Sequence, residues 1–387
     1  MPFTTPAISR RLSAWYFCYF AFVGAFAPYF TLYLQSLGLN AAAIGTLMSL
    51  MLAMRLLAPN LWGWLADHLG HKVLVIRLSA LLSMAGFAVF FFVSGFSGLF
   101  VAMAMMAFFW SAALPLVEAL TLRHLEGRTE QYGHIRLWGS IGFIAAVLAT
   151  GVWLDHAALA SLLWVNFLLL AGVGVCALFL VDAPRQEHRS EAVPLRESLM
   201  RPEVLALLAA CLLMSAAHGP FYVFFSIHLV NHGYEKSLVG ALWSVGVFAE
   251  IAVFIAMPRI LRAWSARSIL LLSFALAVVR FLLTGWAVDS VMAVFVAQVM
   301  HGATFGACHA AAIAALHGWF PARQQARVQA LYSSASFGAG GMIGNMASGA
   351  VWDTLGPALT FSLGSAFAGA GLALIAFGMS SPPRDTR

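Results

Sequence analysis

The hydrophobic positions of this chain neither alternate nor keep to one helix face; they fill long runs separated by short polar breaks. The runs lie near residues 11–36, 41–66, 73–93, 97–122, 134–157, 160–181, 203–229, 238–261, 267–288, 291–318, 328–352 and 356–379. A helix rises about 1.5 Å per residue, so roughly 20 apolar residues cross the roughly 30 Å hydrocarbon core of a bilayer. A transmembrane barrel would alternate lipid-facing and lumen-facing residues, which these runs do not. The pattern predicts an all-α membrane protein with twelve transmembrane helices.

The longest break, Asp182–Glu203, is charged and carries Pro184, Pro194 and Pro202. It divides the chain into an N-terminal six-helix bundle over 1–181, a cytoplasmic linker over 182–202 and a C-terminal six-helix bundle over 203–387. The halves echo one another. Run five closes with Gly-Val-Trp-Leu-Asp (Gly151–Asp155) and run eleven with Gly-Ala-Val-Trp-Asp (Gly349–Asp353), 198 residues later. Gly45 and Ser49 recur as Gly240 and Ser244 at an offset of 195, which also lays Arg55 over Glu250. Two pseudo-symmetric halves joined by a long loop predict a two-bundle transporter, with its site near the bilayer midplane between the bundles.

Composition agrees with a membrane setting. Apolar residues make up 62% of the 387 and Asp, Glu, Lys and Arg only 9%, with a mean hydropathy of +0.88. Soluble domains run at about 45–50% and about 25%, so this chain has no surface to show to water. The net charge of +6 reads as topology and not as a nucleic-acid partner. With twelve spans both termini share one side, and most of the 21 Lys and Arg fall there: Arg10, Arg11, Lys72, Arg123, Arg128, Arg185, Arg189, Arg196, Arg201, Arg259, Arg262, Arg267, Arg323, Arg327, Arg384 and Arg387. Only Lys236 lies opposite. The positive-inside rule then makes both termini cytoplasmic, in a cell membrane expected to be a bacterial inner membrane. The first run extends to about Leu37 with no small-residue cleavage site, so it reads as a retained helix and not a removed signal. Cys18, Cys176, Cys211 and Cys308 sit inside apolar runs without metal-ligand spacing and read as buried free thiols. No metal is expected. There is also no P-loop, which leaves an ion gradient or facilitated diffusion as the energy source and no cofactor.

A charge at a bilayer centre costs about 2.5–3.5 kcal/mol on insertion scales, so every ionisable residue inside a run calls for a partner or a pathway. Glu118 and Arg136 stand 18 residues apart in the runs flanking one short loop, at similar depth and nearer the cytoplasm. Arg55, Glu250, Arg280 and His301 lie roughly 15–21 Å into their runs, near the midplane. His301 belongs to a polar stripe with Gln298 and Thr304, and with His309 further round. His218 precedes Gly219-Pro220 and marks a break in a cavity-lining helix. Arg77, near the cytoplasmic end of its run, is expected to partner the Asp67 loop. The small residues of runs five and eleven are expected to serve close helix packing.

Between runs two and three stands Gly63-Trp-Leu-Ala-Asp67-His-Leu-Gly70-His-Lys72. Its pattern, G-x3-D-x2-G-x-K, resembles the loop signature of the major facilitator superfamily. The glycines allow a tight turn and close helix approach, and Asp67 is suited to cap a neighbouring helix end, so the motif reads as a conformational latch. Its counterpart after run eight, Pro258–Arg267, is degenerate. The blocks YGHIRLWGSIGF, LWSVGVFAEIAVF, SARSILLLSFALAVVRF, HGATFGACHAAA and RVQALYS, spread over most of the chain, are similar to the phenylpropionate permease group of that superfamily. The resemblance implies the twelve-helix fold and a proton symporter that brings an aromatic carboxylate, or a related small acid, across the membrane. Lactose permease is a more distant relative by the same comparison. Its sugar-binding Glu–Arg pair falls on Glu118 and Arg136, and its sugar-stacking tryptophan becomes Phe143. Its run-ten Lys, His and Glu become Gln298, His301 and Thr304; its run-nine arginine is Arg280, and Glu250 lies about one turn from its run-eight glutamate. These departures count against a sugar.

The leading expectation is proton-coupled uptake of a small organic anion. Arg55 and Arg280 offer planar donor forks to a carboxylate, with His218, Gln298, His301 and Phe143 beside them. Glu250, and after it His301, are the candidates for the coupling proton, while Glu118 and Arg136 bind substrate or gate the cytoplasmic side. A sugar or nucleoside symporter using Glu118 and Arg136 on hydroxyls is the alternative. Drug efflux and a substrate sensor that has lost transport stand behind it. An enzyme is not expected, for want of a nucleophile–base pair. The expected partners are a small-molecule substrate, protons and lipid, with the chain acting as a monomer.

Overall fold

The computed structural model describes residues 6–125, 128–183 and 199–379. Most of the linker, residues 184–198, lies outside the described residues, as do Arg185, Arg189, Arg196, Arg384 and Arg387. The first half consists of α1 (Pro6–Ser36), α2 (Ala41–Leu69), α3 (Lys72–Ala88), α4 (Phe96–Leu125), α5 (Thr129–His156) and α6 (Leu162–Leu178). The second consists of α7 (Pro202–Ala217), α8 (Gly219–Asn231), α9 (Lys236–Ala263), α10 (Ala266–Trp286), α11 (Val291–His301), α12 (Cys308–Trp319), α13 (Ala322–Ser333) and α14 (Gly341–Gly378). Short π-helical turns, Gly302–Ala307 and Ser334–Gly340, join α11 to α12 and α13 to α14. Among the described residues eleven segments are long and apolar enough to cross a membrane, and the last of them, Ala322–Gly378, is interrupted at Gly356. Gly356 takes φ +82° ahead of Pro357, a left-handed conformation that ends one crossing and starts another, so the crossings among the described residues number twelve.

The helix ends follow local chemistry. Asn40 caps α2 by accepting from Ala43 N at 2.9 Å, and Ser265 and Ser290 do the same for α10 and α11. Gly70 stops α2 in the left-handed region at φ +71°, its N–H reaching Ala66 O. Beside it Asp67 pairs with Lys72 at 3.3 Å. Arg77 departs from its expected place by the Asp67 loop. Its guanidinium donates to the carbonyls of Ala177, Leu178 and Leu180 and so closes the end of α6. The reason is physical: the last carbonyls of a helix have no intrahelical donor, and a guanidinium fork serves several at once.

The chain groups into two units, Met1–Arg189 with Gly233–Ala241, and Ser190–His232 with Leu242–Arg387. In the first, α1 is the core helix, packed along α5, α6 and α2. Its Trp15, Tyr16, Phe22, Phe30 and Tyr29 are fully buried. The α1–α5 contact is close because it is made by glycines: a Cβ on Gly142 would overlap the Phe17 carbonyl, and one on Gly24 would press on Phe143. In the second unit α14 packs on α7 and α10. A Cβ on Gly344 would overlap the Ala216 carbonyl, and one on Gly219 would overlap Gly344. Leu57, Leu168, Ile255 and Met292 stand exposed, apolar surface that lipid is needed to cover.

The start of α9 belongs with the first unit for a specific reason. The Asp155 carboxylate, in the last turn of α5, accepts from Lys236 N at 2.7 Å and Ser237 N at 3.0 Å, while Tyr29 donates to the carbonyls of Val147 and Lys236. An anion on two free N–H groups at a helix start is a cap supplied by another helix. Asp155→Ala should therefore cost about 1 kcal/mol, seen as a lowered melting temperature in detergent. Asp155→Asn, which still accepts through one oxygen, should lose less. Equal stability of all three proteins would remove the capping role.

Candidate functional site

The first unit holds a charged group between α4 and α5. Pro115 sits inside α4, and three residues on Glu118 Oε1 lies 3.8 Å from Arg136 Nε. Tyr132, one turn before Arg136, donates from its hydroxyl to the same carboxylate oxygen at 3.5 Å. The Arg136 guanidinium lies 4.0 Å from the centre of the Phe20 ring and 5.5 Å from that of Tyr16. Gly139 makes this possible, since a Cβ there would press on both Phe20 and Arg136 Nη1. The pair keeps about a third of its surface open, 32% for Arg136 and 36% for Glu118. So exposed a pair adds little to stability and is free to exchange its partners for those of a ligand. Arg55 is exposed and acts electrostatically on Glu118 and Tyr19. Tyr19 stacks flat on Trp110 at 4.2 Å. Phe143 follows Arg136 at two helical turns and is half-buried; its backbone meets Gly24. In the loop motif Gly70 and the Asp67–Lys72 pair have the roles described above, whereas a Cβ at Gly63 would meet nothing within 4 Å.

The second unit holds a different kind of group. Arg280 on α10 is fully buried. Its Nε donates to Ala297 O at 2.9 Å, and its Nη1 to Thr304 Oγ1 at 3.1 Å and to His218 Nε2 at 3.0 Å. All three acceptors are neutral, and Nη2 is buried without a hydrogen-bond partner. Phe221 covers the guanidinium at 4.5 Å and Phe281 lies against it at 5.1 Å. Gln298 is buried with neither amide atom bonded, and His301 Nδ1 is likewise unpartnered. His301 stacks on Phe305 and lies 5.8 Å from His218, ring centre to ring centre.

Local irregularities make this cluster. Helix α7 ends at His218 and α8 begins at Gly219-Pro220, where proline has no N–H to continue the ladder. The π-helical turn after His301 shifts the helix phase and turns Thr304 onto Arg280. Gly246 of α9 leaves room for His301 and Gln298, whose nearest atoms lie 3.4 and 3.5 Å from where its Cβ would be. Glu250, one turn further along α9, packs its side chain toward Gly306. His309 stands apart from the cluster, paired with the Tyr332 hydroxyl at 3.0 Å.

The structure thus joins Glu118 with Arg136, and joins His218, Arg280, Gln298 and His301, with Glu250 a turn away. Tyr132, Phe20 and Gly139 escape sequence reasoning as site residues. Tyr132 was findable, four residues before Arg136 in the same block, whereas Phe20 becomes relevant only once α1 lies against α5.

A family model described as MFS_1 like family matches residues 9–363. The probable 3-phenylpropionic acid transporter of Escherichia coli (strain K12) is 31% identical over 357 residues, 90% of this chain and 92% of that protein. The maltose permease of Geobacillus stearothermophilus is 32% identical over 335 residues, 84% of this chain and 83% of that one. A mutant form of the nucleoside transporter NupG has the same fold, with a TM-score of 0.85 at 16% identity, covering 95% of this chain and 98% of that one. With the crossings described above, these matches show that the chain belongs to the MFS_1 like family and is a multi-pass membrane transporter of the major facilitator superfamily, not an enzyme.

Proposed function

We propose that this transporter is a proton-coupled importer of a small organic anion, an aromatic carboxylate of the phenylpropionate kind, working by alternating access in a bacterial inner membrane with both termini cytoplasmic. The observation that carries this reading is the Arg280 cluster. A guanidinium buried among apolar helices with neutral acceptors and one nitrogen unbonded is costly, and a carboxylate is the ligand that repays the cost by taking two parallel N–H bonds. Phe221 and Phe281 against it, with Phe305 beside His218 and Trp243 beside Phe221, supply flat apolar surface for a ring. The E. coli relative, a probable 3-phenylpropionic acid transporter, supports the same substrate class. In this reading Arg55, Glu118, Arg136 and Phe143 contribute a second recognition group, no cofactor is required, and protons supply the driving force.

The Glu118–Arg136–Tyr132 group favours a second reading, a sugar or nucleoside substrate held through its hydroxyls. The maltose permease match is consistent with it. The two separate in a thermal-shift screen of the purified protein against aromatic acids, maltose and nucleosides. Aromatic acids should raise the melting temperature; stabilisation by maltose or a nucleoside and by no aromatic acid would sink the anion reading.

Arg280→Lys should keep the charge but lose the fork, weakening 3-phenylpropionate binding about tenfold or more, since a hydrogen bond to a charged group is worth about 1.5–3 kcal/mol. An unchanged Kd by calorimetry would remove Arg280 from the carboxylate site.

A further inference from the structure

We propose that His218 takes up the coupling proton, and that it does so when the substrate carboxylate displaces it from Arg280. This rests on the organic-anion reading above and assigns its proton to a group other than Glu250 or His301.

The hydrogen bonds set the protonation state of His218. Its Nδ1 lies 2.8 Å from the Met214 carbonyl, which only accepts, so Nδ1 carries a hydrogen. Its Nε2 lies 3.0 Å from Arg280 Nη1, which only donates, so Nε2 presents its lone pair. The imidazole is therefore neutral for as long as it serves as acceptor to the guanidinium. A proton on Nε2 would set N–H against N–H and a second positive charge against the first.

A carboxylate arriving at Arg280 changes both conditions. It takes the unpartnered Nη2 and, in the two-bond geometry natural to the fork, Nη1 as well. His218 Nε2 is then released with a negative charge beside it and is free to bind one proton from water. No other bond is made or broken, and the new Nε2–H becomes a donor to the bound anion or to Thr304. By linkage the effect is reciprocal: the anion favours the proton and the proton favours the anion.

The surroundings single out His218. Arg280 faces it from α10, Thr304 and His301 from the α11 side, Tyr222 from its own segment at 6.0 Å, with Phe281 and Phe305 closing the rest. Glu250 lies on α9 against Gly306. His301 makes no bond to Arg280: its ring lies on Phe305 and its Nδ1 is unpartnered, so displacement at the guanidinium leaves its bonding unchanged. His218 also stands at the α7–α8 break, beside Gly219, whose contact with Gly344 holds the backbone while Phe221, the cover over Arg280, follows three residues later. The break provides for the ring to swing away and for the cover to open.

The test uses the full-length chain in liposomes, with 3-phenylpropionate as the probe and His218→Gln as the variant. Glutamine can still accept from Arg280 but cannot be protonated. In the wild type, Kd should tighten by up to about tenfold per unit fall in pH, one proton per anion, and an inward probe gradient should carry protons in. In His218→Gln the Kd should be flat with pH, and both probe-driven proton entry and accumulation driven by a pH gradient should be lost. Retention of the acid-tightened Kd or of probe-driven proton entry by the variant overturns the proposal while leaving the anion reading standing. If the wild type binds no aromatic carboxylate, both fall together. Should His218→Gln fail to fold, the 15N spectrum of histidine-labelled wild type decides. His218 should pass from the Nδ1–H neutral form to imidazolium on saturation with the probe, and a ring that stays neutral overturns the assignment.

Discussion

A guanidinium with no exposed surface, placed among helices that lipid surrounds, is the constraint on which the second unit turns. Moving such a charge out of water is expensive, and the usual remedy is an adjacent carboxylate. The hydrogen bonds of Arg280 go instead to a carbonyl, a hydroxyl and an imidazole, and one nitrogen is left over. Dipoles hold the charge without neutralising it. That is an expensive arrangement for a scaffold and, on the proposed anion reading, a useful one for binding a carboxylate and then letting it go.

The rest of the unit is shaped to make this arrangement possible. Two departures from regular helix meet at Arg280: the α7–α8 break brings in His218, and the π-helical turn brings in Thr304. Glycines supply the room. Gly246 admits His301 and Gln298, Gly302 admits the α9 backbone at Ala249, and Gly219 and Gly344 let α14 lie directly on the break. Without a hydrophobic force between helices in lipid, such close backbone contacts are a main source of cohesion, so the same glycines both hold the unit and shape its site. The first unit follows a different rule. Its Glu118–Arg136 pair keeps about a third of its surface open and its guanidinium is steadied by Phe20, so its contacts are exchangeable and no vacancy in hydrogen bonding is enforced there.

How much was legible beforehand differs by element. The twelve crossings could be read from run length, because the bilayer thickness sets the length of each helix and composition marks it. The pairing of Glu118 with Arg136 followed from depth across one short loop. Arg77 was misread because its fork goes to the bare carbonyls at the end of α6, a contact which no spacing in the sequence announces. The contact of His218 with Arg280 was also beyond sequence reasoning, since depth places ionisable groups at the same level but does not say which of them touch.

Apolar run length, the charged break and the positions of buried charges are properties of the chain itself, and they were enough to predict a two-half membrane transporter; its resemblance to the major facilitator superfamily came from the loop motif and the matching sequence blocks. Which nitrogen of His218 carries its hydrogen, which atom of Arg280 is left unbonded, and that a phenyl ring covers it are decided by helix packing. They depend on contacts between residues 62 and 24 positions apart and on phase shifts at one break and one π-helical turn. Hydrophobic patterning is set by the solvent that each residue must meet and survives in one dimension. Hydrogen-bond partnership is set by ångström-scale approach, and it exists only once the helices have packed.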